Sequence, residues 1–166
     1  MVLGALKQFI PRGSDPYPKG IMAILHKFEA RSLDDPGISL LKKAYEYGEK
    51  AHKGQKRRSG EPYFIHCIQV AETLSEWNCD NDTIAAGILH DTIEDTDITK
   101  EDIASEFNPT IAELVWGVSK LSGIKFNSRQ QKQAENFMRL FLNVADDIRV
   151  IIIKFADRLH NMKTLN

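Results

Sequence analysis

Apolar side chains recur at helical spacing along most of this chain. Ile68, Val70, Ala71, Leu74 and Trp77 form one stripe, and Ile84, Ala85, Ile88 and Leu89 form a second. A period near 3.6 puts each set on one face of an α-helix. Leu40, Leu41, Ala44, Tyr45 and Gly48 repeat the pattern behind Ser39, which reads as an N-cap. Asp82 reads as the cap of the helix through Ile84. Thr99 with Asp102 three residues later resembles a capping box before Ile103 and Phe107. Asn108 sits where a left-handed C-cap is expected, and Pro109 opens a helix carrying Ile111, Leu114, Val115 and Val118. A last helix starts near Asp146 or Asp147 and runs to the chain end. Its run Val150-Ile151-Ile152-Ile153 would suit a strand in isolation, but Asp157, Asn161 and Thr164 follow at i, i+4 and i+7. Nothing alternates with period two for long, so the fold class predicted is all-α.

The breakers set the organisation. Pro11, Gly13, Pro16, Pro18 and Gly20 mark an irregular arm, and Asp34-Asp35-Pro36-Gly37 is a second cluster. Residues 1–37 are therefore expected to be an N-terminal arm with a short helix from about Ile21 to Arg31, and 38–166 one helical domain. Residues 122–133 are polar and read as a loop, with a helix from about Ala134. At 166 residues there is enough chain for one core. The 42% hydrophobic and 27% charged content excludes a disordered or fibrous chain. A net charge of -1 gives no general attraction to nucleic acid or to anionic membrane. Cys67 and Cys79 lack CxxC spacing, which disfavours a cysteine zinc site and makes a reducing, cytoplasmic setting the expectation. The apolar runs fall far short of the roughly 20 residues of a membrane span, and there is no signal-peptide pattern.

The candidate chemistry starts at His90-Asp91-Thr92-Ile93-Glu94-Asp95, which closes an otherwise apolar helix. Buried, such a group needs a cation; exposed, it is a solvated helix end. Its acids oppose the helix dipole there, so helix stability does not explain them. Taken alone, His66, in the stretch Tyr63-Phe64-Ile65-His66, reads better as a satisfied core histidine, and Asp157 at least as well as a buried acid paired with Arg158 or Arg149. Lys53, Lys56, Arg57 and Arg58, with His52 beside them and Gly54 and Gly60 around them, form a basic loop. Guanidinium forks suit phosphate and stack on bases, while the bland alternative is a solubilising face.

The order His66, then His90-Asp91, then Asp157 resembles the H…HD…D arrangement of HD-domain metal phosphohydrolases. The surrounding words are more specific. Ala51-His52-Lys53-Gly54-Gln55-Lys56-Arg57-Arg58-Ser59-Gly60-Glu61-Pro62-Tyr63, Leu89 to Thr96, Gly117-Val118-Ser119-Lys120-Leu121, Gln133-Ala134-Glu135-Asn136, Asp147-Ile148-Arg149-Val150 and Ala156 to Met162 resemble the hydrolase domain of the RelA/SpoT family. The resemblance covers roughly residues 38–166. It implies an HD-domain helical bundle that degrades the alarmone (p)ppGpp at its 3′-pyrophosphate using Mn²⁺. By resemblance His66, His90, Asp91 and Asp157 bind the metal, Glu94 and Asp95 are catalytic, and Arg57, Arg58, Ser59, Asn161 and Thr164 hold the guanine nucleotide.

The words look like the long members, which would continue into a synthetase and regulatory region, so the chain reads as a fragment. Cys67 stands for a frequent Pro, Ser119 for Thr, Arg58 for Lys and Asn108 for Gly, and none of these removes a ligand. His160 and Arg158 lie one step off the Asp157 face and are left out of the ligand set. Two alternatives stay open: an HD phosphohydrolase of another nucleotide, or a nucleotide-binding regulatory fragment without turnover.

Overall fold

The computed structural model describes residues 19–29, 36–122 and 147–164. The polar segment 123–133, the helix expected from Ala134 and most of the N-terminal arm lie outside them. Among the described residues the fold is all-helical. The helices are α1 (Lys19–Glu29), α2 (Pro36–Ala51), α3 (Phe64–Glu76), α4 (Asn81–Leu89), the single turn α5 (Thr92–Asp95), α6 (Lys100–Glu106), α7 (Pro109–Ser122) and α8 (Ile148–Lys163).

The helix α4 is the centre of the bundle. Every residue from Thr83 to Leu89 is buried, because α2, α3, α7 and α8 all pack around it. Close approach depends on Gly87: a β-carbon there would lie 2.4 Å from a Leu74 methyl on α3. That approach brings His90, at the end of α4, against α3. The helix α1 packs on α3 and buries Ile21, Ile24, Leu25 and Phe28 completely, so it belongs to the same core.

Several expected boundaries move for local reasons. Ser39 is not the cap of α2; the helix already includes Pro36 and Gly37, since proline fits a first turn that lacks a hydrogen-bond acceptor for its nitrogen. Asp80, not Asp82, caps α4, accepting from the Thr83 N–H at 2.9 Å. Trp77 is not part of the buried stripe: it is the C-cap of α3 and 46% exposed. Asn108 is not left-handed; its Oδ1 accepts from the Ile111 N–H at 2.8 Å and so caps α7. The left-handed asparagine is Asn78 (φ 57°), just past α3. The Thr99–Asp102 capping box forms reciprocally, Pro109 opens α7, and Asp147 caps α8 through the Arg149 N–H. The β-branched run at 150–153 is helical and largely buried.

Candidate metal centre

Three helices deliver four side chains to one point. His66 comes from the first turn of α3, His90 and Asp91 from the end of α4, and Asp157 from the third turn of α8. They are 3%, 0%, 7% and 5% exposed, which rules out the solvated-helix-end reading of His90-Asp91. His66 Nε2 lies 3.2 Å from Asp157 Oδ1 and 3.8 Å from Asp91 Oδ2. His90 Nε2 lies 3.0 Å from Asp91 Oδ2 and 4.0 Å from Asp157 Oδ1. Each imidazole thus faces both carboxylates.

The electrostatics ask for a cation. Burial pushes the Asp91 and Asp157 carboxyls up, but their neighbours reverse this. For Asp91 the opposing partners are His90 and Tyr63, for Asp157 they are His66, His90 and Lys154, and both acids end well below the usual carboxylate range. Burial pulls His90 down, yet Asp91 outweighs it and leaves the imidazole well above its ordinary value. Two buried acids therefore hold positive charge between them, and a dication can supply it in place of a proton. His90 Nε2 is buried without a hydrogen-bond partner, as a ligand atom aimed at a metal position would be. His66, His90 and Asp157 each present a ligand atom within 4.8 Å of the others. Two imidazole nitrogens and two carboxylate oxygens suit a divalent first-row metal. The residues present fit such an ion.

The four clustered side chains are held from behind. His90 Nδ1 bonds the Gly87 carbonyl at 2.8 Å, which leaves Nε2 for the site. His66 Nδ1 is 2.6 Å from His160 Nδ1. Tyr63 donates its hydroxyl to Asp91 Oδ2 at 2.8 Å and stacks on His52. Asp157 Oδ2 takes the Lys154 ammonium at 2.7 Å, and Asn161 Nδ2 donates to Asp157 Oδ1 at 2.6 Å. Neither Arg149 nor Arg158 pairs with Asp157: Arg149 binds Asp147 and Asp80, and Arg158 is exposed. His160 stands behind His66 and belongs to neither group of buried side chains that could share an ion. Cys67 is fully buried beside His90 and Asp91, and burial pushes its thiol up.

Glu94 and Asp95 sit on the single turn α5, directly after His90-Asp91 in the chain, and are exposed. An open cleft of about 600 Å³ is lined by both together with Gln55, and not by His66, His90, Asp91 or Asp157. Gln55 Nε2 donates to the Asp95 carbonyl at 2.9 Å, and Gln55 Oε1 meets His52 Nδ1 at 2.8 Å. Burial raises the Glu94 carboxyl above its ordinary value; the Ser122 hydroxyl opposes this and the Asp91 charge adds to it. A larger cavity of about 1110 Å³ between α1, α2 and α3 has mostly apolar walls and lacks the four ligand residues.

The basic loop folds over the site. An antiparallel bridge joins Lys56 to Pro62, the Gly60 N–H bonds the Arg57 carbonyl at 2.9 Å, and Gly54 and Gly60 take φ near +85° and +88°, where glycine is favoured. Arg57 reaches α8, donating to Asn161 Oδ1 and, at 3.3 Å, to Thr164 Oγ1. The structure thus brings Arg57, Asn161 and Thr164 together. It leaves Arg58 and Ser59 exposed at the loop tip, with Ser59 Oγ 3.5 Å from Glu61 Oε2. His52 is buried, so it is no part of the basic face. Sequence reasoning missed Tyr63, Gln55, Ser122 and Lys154. Of these, only Lys154, a lone charge in an apolar run, carried a visible signal.

Comparison with known proteins agrees with this geometry. The family described as HD domain matches residues 44–166. A guanosine-3′,5′-bis(diphosphate) 3′-pyrophosphohydrolase of Vibrio cholerae is 51% identical over 133 residues, covering 80% of this chain and 19% of that protein. A GTP pyrophosphokinase of Myxococcus xanthus is 49% identical over 135 residues, covering 80% of this chain and 18% of its own length. The bifunctional (p)ppGpp synthase/hydrolase SpoT of Escherichia coli is 48% identical over 133 residues, with the same 80% and 19% coverage. The chain therefore spans about a fifth of the length of these curated relatives. A solved structure of a metazoan ortholog of SpoT, described as hydrolysing ppGpp and acting in starvation responses, superposes with a TM-score of 0.57 at 29% identity, covering 89% of this chain and 71% of that one. The chain belongs to the HD-domain family, and within it matches RelA/SpoT-type (p)ppGpp hydrolases.

Proposed function

We propose that this chain hydrolyses the 3′-pyrophosphate of (p)ppGpp, releasing GDP or GTP and pyrophosphate, with Mn²⁺ held by His66, His90, Asp91 and Asp157. The observation that carries the reading is the buried His–Asp cluster beside a basic clamp, with His90 Nε2 facing two carboxylates, 3.0 Å from the nearer, without a well-directed hydrogen bond. When bound, a divalent cation supplies Lewis acidity at a phosphate oxygen and lowers the pKa of water.

The chain's own groups do the rest. Glu94 and Asp95 handle protons: burial raises the Glu94 carboxyl above its ordinary value, which favours proton uptake. Arg57 offers a planar guanidinium to a guanine base, and Asn161 and Thr164 fix its plane. Arg58 and Ser59 stand at the loop tip to meet phosphate oxygens. Together with Lys53 and Lys56, the two arginines offset the repulsion between an acidic pocket and a polyanion. In a longer protein the neighbouring partner is a synthetase and regulatory region. No helix among the described residues is long and apolar enough to cross a membrane.

The test is ppGpp hydrolysis by the purified chain with and without Mn²⁺, following GDP and pyrophosphate together. Manganese-dependent release that is abolished by Glu94→Ala or Asp95→Ala supports the reading. Tight ppGpp binding without release would instead favour a regulatory module, and no binding would favour another substrate.

A further inference from the structure

We propose that Gln55 is a positioning residue: its side-chain amide holds the single turn α5, which carries Glu94 and Asp95, in register with the basic loop and with Asp91. The inference deepens the hydrolytic reading above and rests on it for the roles of Glu94 and Asp95.

Gln55 stands at the base of the basic loop. The bridge between Lys56 and Pro62 keeps this stretch extended, so Gln55 and Arg57 leave one side and Lys56 the other. Burial follows the same alternation: Gln55 and Arg57 are half-buried and Lys56 is exposed. Arg57 reaches Asn161 and Thr164 on α8. Gln55 reaches α5, where its Nε2 donates to the Asp95 carbonyl at 2.9 Å. The loop hooks α8 with one side chain and α5 with the other.

The Asp95 carbonyl needs a donor from elsewhere. A helix leaves its last four carbonyls without a donor inside the helix, and α5 is only Thr92–Asp95. The Thr92 carbonyl takes the Thr96 hydroxyl at 2.6 Å, and the Asp95 carbonyl takes the Gln55 amide. Burial does not hold the carboxylates in place, because Thr92 is the one buried residue of the turn.

The other end of the amide leads to Asp91. A carbonyl only accepts, so the amide nitrogen faces Asp95 and Gln55 Oε1 faces His52 Nδ1, 2.8 Å away. His52 is buried and stacks on Tyr63, with ring centroids 5.2 Å apart. The Tyr63 hydroxyl donates to Asp91 Oδ2 at 2.8 Å. Every step of this route from α5 to Asp91 is a direct contact.

Three variants separate the two ends of the amide. Gln55→Lys keeps a donor for the Asp95 carbonyl, Gln55→Glu keeps an acceptor for His52, and Gln55→Met keeps neither. Steady-state kinetics with ppGpp, Mn²⁺ titration followed by electron paramagnetic resonance and hydrogen exchange followed by NMR are run on the same preparations of the full chain. Gln55→Met and Gln55→Glu should lower kcat by about 10–100-fold, the scale of loss when a reacting group is misplaced by about an ångström. KM and the Mn²⁺ Kd should stay within about threefold of the parent, and Gln55→Lys should recover most of kcat. The Asp95 amide, which bonds the Asp91 carbonyl at 2.9 Å, should exchange about tenfold faster in the Met and Glu variants and near the parent rate in the Lys variant.

A Gln55→Met protein with a lower melting temperature and normal kcat would overturn the proposal, because Gln55 would then be a structural cap only. So would a Gln55→Glu protein as active as the parent, a raised KM with kcat unchanged, or a Mn²⁺ affinity that falls in step with turnover. If Gln55→Met fails to fold by circular dichroism, Gln55→Glu against Gln55→Lys decides in the same way. An inactive parent refutes the hydrolytic reading itself, and the Asp95 exchange rates then still decide whether Gln55 holds the turn.

Discussion

The pocket and the rim of this site are built on opposite terms. In the pocket each of the four clustered side chains is buried and tied from a second direction: His90 to Gly87, His66 to His160, Asp91 to Tyr63, Asp157 to Lys154. At the rim the charges of Lys53, Lys56 and Arg58 stand in water, and Arg57 reaches across to Asn161 and Thr164. Buried charges interact strongly and are costly to leave unmatched, whereas exposed ones are weakened by solvent and salt. Under the proposed function the pocket would be a rigid device for holding an ion, and the rim a field and a clamp for a polyanion. Damage to each should look different.

The pocket gives the largest expected effect. Asp91→Asn removes one of the two buried carboxylate charges proposed to hold the cation while keeping the shape. Mn²⁺ at about a hundredfold excess over its Kd should stabilise the parent by about 2.7 kcal/mol, and that gain should vanish in the variant. Turnover should fall by about 10³-fold or more, as it does when a member of a concerted catalytic group is lost. Calorimetric melting with and without Mn²⁺ checks the first, and pyrophosphate release the second. A variant that still melts higher with Mn²⁺ would remove Asp91 from the ligand set.

The rim should fail in binding instead. Arg57→Ala loses charge-assisted hydrogen bonds worth about 1.5–3 kcal/mol, so KM should rise by roughly 10–100-fold. Mn²⁺ affinity should not change, and the salt dependence of kcat/KM should flatten. Arg57→Lys keeps the charge and loses the plane, so it should recover the salt dependence and little of the affinity. If Arg57→Ala lowers Mn²⁺ affinity as much as Asp91→Asn does, the division between pocket and rim is wrong.

A smaller effect probes the support behind the pocket. His160 is held down to about 4, by burial first and then by His66 and Arg57. A neutral His160 can accept the Nδ1 proton of His66 and so leave His66 Nε2 for the metal. The sign follows from the depressed value. Between about 6.5, the ordinary histidine value, and about 4, the unfolded chain binds the His160 proton and the folded one does not. The stability from this group is therefore complete above the ordinary value and is lost as the pH falls toward 4. His160→Gln should flatten that decline in melting curves taken from pH 7.5 to 4, relative to the parent. Because Gln keeps an acceptor, Mn²⁺ affinity should drop by less than the roughly tenfold expected for His160→Leu. Equal affinities in the two variants would show that His66 needs no acceptor behind it.

The same contrast explains what could be read in the sequence. The helices were legible because each buries one stripe, and the stripe repeats at the helical period. The clustering of His66, His90, Asp91 and Asp157 and the Arg57–Asn161–Thr164 group were legible because short words carry them. Helix starts were less so: Asp80 and Asp82 are both chemically able caps, and only the backbone direction entering α4 chooses Asp80. The supports were the least legible. Tyr63 reaches Asp91 across 28 positions, Lys154 reaches Ser122 across 32 and Gln55 reaches Asp95 across 40, distances over which periodicity carries no information. Ordinary residue types in ordinary places become functional only once the bundle closes.

The smallest effect serves as the control on all of these. Thr99 and Asp102 close a reciprocal capping box at the start of α6, which packs on α7 and supplies none of the site residues. Thr99→Ala should cost about 1 kcal/mol of stability, the usual value for a lost N-cap. It should leave Mn²⁺ affinity, KM and kcat unchanged. The cost also has a pH signature. Hydrogen bonds from the Thr99 side chain and backbone favour the ionised Asp102 and hold its carboxyl below the usual range. The parent should therefore keep its advantage at neutral pH and lose part of it as the pH falls below about 4, where the unfolded-state carboxyl and then the folded one take up protons. Urea unfolding at pH 7 and pH 3 measures both ends of that window. A Thr99→Ala protein with normal stability but reduced turnover would mean that α6 reaches the site through α7 and Ser122, and the pocket would then be less self-contained than its local supports suggest.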